Sequence, residues 1–382
     1  IAPILPSPKP GETVTGETDK VIFEAMRSEL NRNNAGLILP GGPKPYYISY
    51  TVARFRHFQM AASLGGLIFS TVSPWQMSGG TQVLLGDYQN NSDVNYSEQI
   101  APVQLPSETD YDVIRRGFWE SSDLMYKYSL GMMAQKANYL QQNPRPSEEE
   151  NLPDMQELPA VTKVQERGVP FEINRDYLDQ MVTEVSAVFN EYGDIYNSSV
   201  SISGMEIDMY RLTTEGVQLK QPGGQVTLTV SAEVRSGEGS KLGDSFSLSF
   251  LTPAELPTIE QLKEYDGTPL YGYYEIDGDG VTPEAEMTLV EKGVFKRMLN
   301  GRFPTLKAPV STGSARFIFS PQSPTVTTGT GTIHIQAEKT VSPEKMKKAL
   351  IKAAKEAGLP CAYIVRGVPG SALVVYRVDL KD

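Results

Sequence analysis

The chain has 382 residues, 40% of them hydrophobic and 21% charged, a composition that suits a soluble globular protein long enough for two domains. Its formal net charge is −11 and it has no basic stripe, which argues against direct contact with nucleic acid, since replacing phosphate counterions needs clustered Lys and Arg. No apolar run approaches the ~20 residues of a membrane helix, and the single cysteine, Cys361, rules out an intramolecular disulfide or a Cys-based metal cluster within one chain.

Residues 1–17 read as a flexible tail. They are proline-rich and lack the charged-then-apolar pattern of a signal peptide, a start shared with many mature exported chains, so the cytoplasm and the bacterial periplasm are both compatible compartments. Val21–Asn33 has helical periodicity, with Thr18 as its expected cap. From Pro45 to Tyr88, aromatic and β-branched residues punctuated by Gly and Pro predict several strands. Thr109–Asn143 reads as a long helix, with Ile114, Phe118, Met125, Met132 and Met133 on its apolar face and Asp123 placed to pair with Lys127. An acidic loop, Arg145–Pro159, leads to a second amphipathic helix, Arg175–Gly193, with Gly193 as its stop. Between Ile195 and Phe250 the pattern alternates apolar and polar residues around TTEG and QPGGQ, both read as turns.

Thr252–Gly267 reads as a boundary. The remainder is mostly strand, with one helix, Ser342–Gly358, marked by Ser at the cap, Pro at the first turn and Gly at the end. The expected fold class is α+β with two domains: an N-terminal α/β sheet-and-helix domain over 18–256 and a β-rich C-terminal domain over 257–382.

Candidate chemistry is sparse. The only histidines, His57 and His334, lie in separate strand-like stretches and form no metal motif. No G-x-S-x-G elbow, P-loop or dinucleotide glycine motif occurs. Ser342-Pro-Glu-Lys345 has S-x-x-K spacing, which helix capping explains. Cys361 is expected to serve as a small apolar residue. The stretch EIDGDGVTPEAE, Glu275–Glu286, has nearly the spacing of an EF-hand loop, yet strand-like sequence flanks it on both sides. A sharp acidic turn is therefore the better expectation, with a calcium-stabilised binding protein as an alternative.

The same region carries a resemblance. Asp266, Gly267, Gly272, Asp277 and Gly280, followed by the hairpin residues Leu289, Val290, Glu291, Gly293, Val294 and Lys296, are similar in order and spacing to the C-terminal domain of the TldD/PmbA family. These are peptidase-related proteins that also carry the label of modulators of DNA gyrase. PYYISY, GDYQNNSD, the Trp119–Lys136 helix and AGLPCAYIVRG resemble other segments of a TldD-related branch, so the resemblance spans nearly the whole chain. It implies a dimer subunit, homodimeric or paired with a paralogue, that handles peptide or unfolded polypeptide. STGSARF stands where the family has a loop of its own, which implies peptide contact for Ser311, Gly313 and Arg316. Catalytic members bear an H-E-x-x-x-[HD] helix just before the D-G-T segment, and the corresponding LPTIEQLKEYDG has no His. The expectation is a metal-free, non-catalytic subunit with no cofactor and no catalytic residue. The alternative is an active zinc metallopeptidase whose metal helix these residues lack.

Overall fold

The computed structural model describes residues 16–93, 100–146, 148–149, 151–235, 241–263, 276–284, 287–291, 294–318, 324–329, 342–359, 361–367 and 374–379. Helix α1 (Glu17–Gly36) buries Ile22, Phe23, Met26 and Leu30 along one stripe. It starts at Gly16 and not at Thr18, with no side-chain cap; Glu17 and Asp19 supply the negative charge that the first turn favours. Helix α2 (Tyr111–Gln142) is capped by Asp110, whose carboxylate accepts from the Val113 amide, and Lys127 pairs with Asp123 at 2.6 Å. Helix α3 (Arg175–Ala187) is shorter than expected: its end tightens into a 3-10 turn over Val188–Glu191, so Gly193 lies beyond it.

The strands β1 (Tyr47–Ser63), β2 (Gly66–Val72), β3 (Gln76–Leu84), β4 (Ala101–Gln104), β5 (Thr162–Val164), β6 (Ile195–Thr213), β7 (Gln218–Arg235) and β8 (Lys241–Phe250) form one sheet. Its main order is β4-β3-β1-β6-β7-β5, with β2 on β1 and β8 on β7, antiparallel except for β5 against β7. With this sheet and its helices the fold is α+β.

Alternation along the strands gives the sheet two different faces. On one face Tyr50 and Val52 of β1 pack against α1 and α2, while Phe58, Met60 and Ala62 of the same strand pack against α3. On the other, Ala53, Phe55, Ile207 and Met209 are joined by Phe317, from the later part of the chain.

QPGGQ is not a turn. It runs inside β7, between Leu219 and Val226. The Thr213 amide donates to the Val217 carbonyl, so hydrogen-bonded pairs fall on odd residues of β7 and Pro222 turns its nitrogen away from β6. On that side β5 pairs only with 218–220 and β8 only with 226–235, so among the described residues the missing donor leaves no ladder bond unmade. Gly224 is needed for space: a Cβ there would lie 2.4 Å from the Leu251 carbonyl oxygen. TTEG is a turn as expected, closed by the Gly216 amide on Thr213 with Gly216 at φ +92°.

Beyond the sheet lie the short helix α4 (Ile259–Lys263), the hairpin β9 (Val290–Glu291) with β10 (Val294–Phe295), and the pair β11 (Ala315–Ile318) with β12 (Thr325–Thr328). The chain divides into two compact units, Ile1–Thr332 and Ile333–Asp382. The second unit holds α5 (Pro343–Glu356) and the hairpin β13 (Cys361–Gly367) with β14 (Val374–Asp379). Helix α5 has the expected cap, with Ser342 Oγ accepting from the Lys345 amide. His57 is an exposed strand residue on β1, while His334 lies outside the described residues.

Candidate functional site

The acidic turn and the loop singled out in the sequence form one locked piece. Asp277 is buried, and its carboxylate accepts from the backbone amides of Asp279 at 3.0 Å, Val281 at 2.8 Å and Ala315 at 3.0 Å. Burial pushes its carboxyl above the ordinary range, against the pull of those three amides. Asp279 is also buried and faces Arg211 at 3.3 Å. Both carboxylates thus point inward, and neither is offered to solvent as a cation ligand. Glu275 and Glu286 lie outside the described residues.

Ser311, Gly313 and Arg316 sit on the loop that Asp277 holds. The Ser311 amide donates to the Gln156 side chain at 2.9 Å, and its hydroxyl accepts from the Gly313 amide at 3.3 Å. Gly313 has φ +68°, and a Cβ there would stand 2.6 Å from Pro283 Cα. Arg316 turns back and donates to the carbonyls of Gly313 at 3.0 Å and Ala315 at 2.9 Å. The structure therefore brings all three residues together and shows what orders their loop.

Beneath this piece is an ion cluster that the sequence did not signal. Arg302, 2% exposed, donates from Nη2 to both carboxylate oxygens of Glu215 at 2.8 Å and from Nη1 to the Tyr47 hydroxyl at 3.0 Å. The Tyr88 hydroxyl donates to Glu215 at 2.8 Å, and Arg302 also holds the Gln156 carbonyl at 3.1 Å. Gln156, which receives the Ser311 amide, is thereby tied to the sheet. Spacing and periodicity could not reveal these contacts, because the partners are 87 residues or more apart in sequence for every Arg302 side-chain pairing with Glu215, Gln156 or Tyr47.

The turn also abuts a sheet edge. A Cβ at Gly280, at φ +88°, would lie 3.3 Å from Val161, the residue before β5. Strand β5 ends the main strand order, and the Gln218 amide donates to Val161 while the Gln165 amide donates to Lys220. By alternation, Thr162 and Val164 point their backbone groups away from β7. A cavity of about 500 Å³ opens here, lined by residues 163–168 and Pro222. Lys163, Glu166 and Arg167 give it a mixed charge.

A metal does not fit the described residues. The segment before the acidic turn is described only as far as Lys263 and contains α4, whose Ile259 and Leu262 are buried in the α3 cluster. Among the described residues, no group of three or more His, Cys, Asp or Glu side chains is placed to hold a metal ion.

These features define an α+β protein in which a long antiparallel sheet carries helices on one face and an ion-anchored loop unit on the other. No protein-family model and no curated protein matches the sequence. Among solved structures, TldE of Thermococcus kodakarensis is similar at a TM-score of 0.52 and 12% identity, over 94% of this chain and 88% of that one. A candidate modulator of a DNA gyrase from Thermotoga maritima aligns at a TM-score of 0.49 and 12% identity, over 87% of this chain and 84% of that one. One of Bacteroides thetaiotaomicron aligns at 0.49 and 11%, over 97% and 89%. The chain has the fold of TldE, and the expected TldD/PmbA fold is the one observed.

Proposed function

We propose that the chain is a non-catalytic, peptide-binding subunit of a TldD/PmbA-type dimer that acts in peptide processing. The observation that carries this reading is the β5 edge: among the described residues no strand pairs with the side of β5 to which Thr162 and Val164 direct their backbone groups, and a cavity of about 500 Å³ lined by residues 163–168 and Pro222 opens beside it. An extended polypeptide gains main-chain hydrogen bonds on such an edge whatever its sequence. The loop of Ser311, Gly313 and Arg316 flanks the same edge through the turn that abuts Val161, and it makes the side-chain contacts to the peptide.

The test is anisotropy of a fluorescein-labelled, permanently unfolded polypeptide. Val164→Pro removes an outward N–H and leaves the β7 ladder intact, so it is expected to abolish binding, while Val164→Thr retains it. Undiminished binding by Val164→Pro would refute the edge. Polypeptide cleavage that a chelator stops and zinc restores would refute the non-catalytic part of the reading.

A further inference from the structure

The helix-side face of the sheet is not apolar throughout. Between the cluster under α1 and α2 and the cluster under α3, its floor is charged. Strands β1, β6 and β7 place Arg54, Asp208 and Pro222 in one row and Arg56, Glu206 and Gly224 in the next. Arg56 donates to Glu206 at 2.7 Å and to the Phe171 carbonyl at 3.3 Å. Arg167 enters from the segment after β5 and donates to Asp208 at 3.2 Å and to the carbonyls of Ile207 at 3.1 Å and Gly223 at 3.0 Å.

Arg54 is held differently. Its guanidinium stacks 3.8 Å from the centre of the Trp75 ring. Its nearest carboxylate, Asp208, is 3.8 Å away, beyond hydrogen-bond length. Among the described residues the Arg54 guanidinium makes no hydrogen bond, and its side chain keeps 20% exposure. With neighbouring Lys220 included, four cations face four carboxylates, Glu206, Asp208, Asp19 and Glu166, and Arg54 is the cation of this group that makes no hydrogen bond to any of them.

A guanidinium fixed in plane by an indole, with its donors uncommitted, matches the geometry of a planar oxyanion. We propose that this floor binds a carboxylate-bearing ligand, with Arg54 as the two-pronged donor and Trp75 as the apolar wall. Arg167 and Pro222 also line the cavity beside β5, but Arg54 and Trp75 do not, and the proposal does not depend on the peptide reading above.

Trp75 reports on it directly. The chain has two tryptophans, and Trp119→Phe leaves Trp75 as the sole indole. In that variant, N-acetylleucine is expected to change the emission saturably, whereas N-acetylleucinamide, which lacks the carboxylate, leaves it unchanged. Arg54→Lys keeps the charge but loses the fork, and is expected to weaken binding roughly tenfold or more. Circular dichroism confirms that each variant is folded. The absence of a saturable change, an equal response to the amide, or undiminished binding by Arg54→Lys would each overturn the proposal. So would a response to inorganic phosphate without one to the carboxylate. The amide comparison decides the matter even if Arg54→Lys does not fold.

Discussion

Gly313 meets two demands at once, a left-handed backbone at φ +68° and a Cβ position only 2.6 Å from Pro283 Cα. Either demand alone disfavours a side chain. Gly313→Ala is expected to cost about 1–3 kcal/mol, read as a lower urea midpoint. Arg302 and Glu215 pose the opposite case, a pair whose worth lies in its completeness. Arg302→Leu leaves the Glu215 carboxylate buried beside Tyr88 without its cation and is expected to cost about 3–5 kcal/mol. Replacing both by Leu is expected to recover much of that loss, because the stranded charge goes with its partner. A double-mutant cycle in urea checks this, and a double variant no more stable than Arg302→Leu would contradict it. The two cases also differ in legibility. Gly313 stood out within a short motif, whereas Arg302 reads as any surface arginine until the fold brings it to Glu215.

At the scale of elements, local chemistry was legible wherever neighbours in sequence decide the structure. Ser342 before Pro343 predicted the α5 cap, and the spacing of Asp123 and Lys127 predicted their pair on α2. QPGGQ misled because Pro and two Gly carry turn propensity in isolation. What overrides it is the position of β7, which has a strand on one side and, at Pro222, none among the described residues on the other. This account predicts an asymmetry. Pro222→Ala is expected to change stability by less than about 1 kcal/mol, since the added N–H meets no strand. Gln221→Pro, one residue earlier, deletes an amide on the β6 side and is expected to cost about 3 kcal/mol or more. Thermal melts of the two variants separate these outcomes, and equal melting temperatures would refute the register argument. Strand β5, the edge that the proposed function uses, was missed altogether. With three residues it has no periodicity to read.

At the scale of the whole molecule, the α+β class and the TldE fold followed from the order of many weak motifs, each too modest to serve alone. The charged floor between the helix layers did not follow, because Arg54, Arg56, Glu206 and Asp208 alternate along their strands as exposed residues would. Only the packed helices on either side make that row semi-buried, with the Asp208 side chain 14% exposed. Burial raises the Asp208 carboxyl above its ordinary 3.8, outweighing Lys220, Arg167 and Arg54, with Asp19 adding to the rise. The sign of the effect on stability follows. Between 3.8 and the raised value the folded chain holds a proton that the unfolded chain has released, so this group's contribution to stability falls as pH rises through that window. Asp208→Asn cannot titrate and removes that slope. Urea midpoints measured from pH 4 upward are therefore expected to fall less steeply with pH in Asp208→Asn than in the parent chain. Parallel curves would mean that the floor is wet enough to leave Asp208 as an ordinary carboxylate.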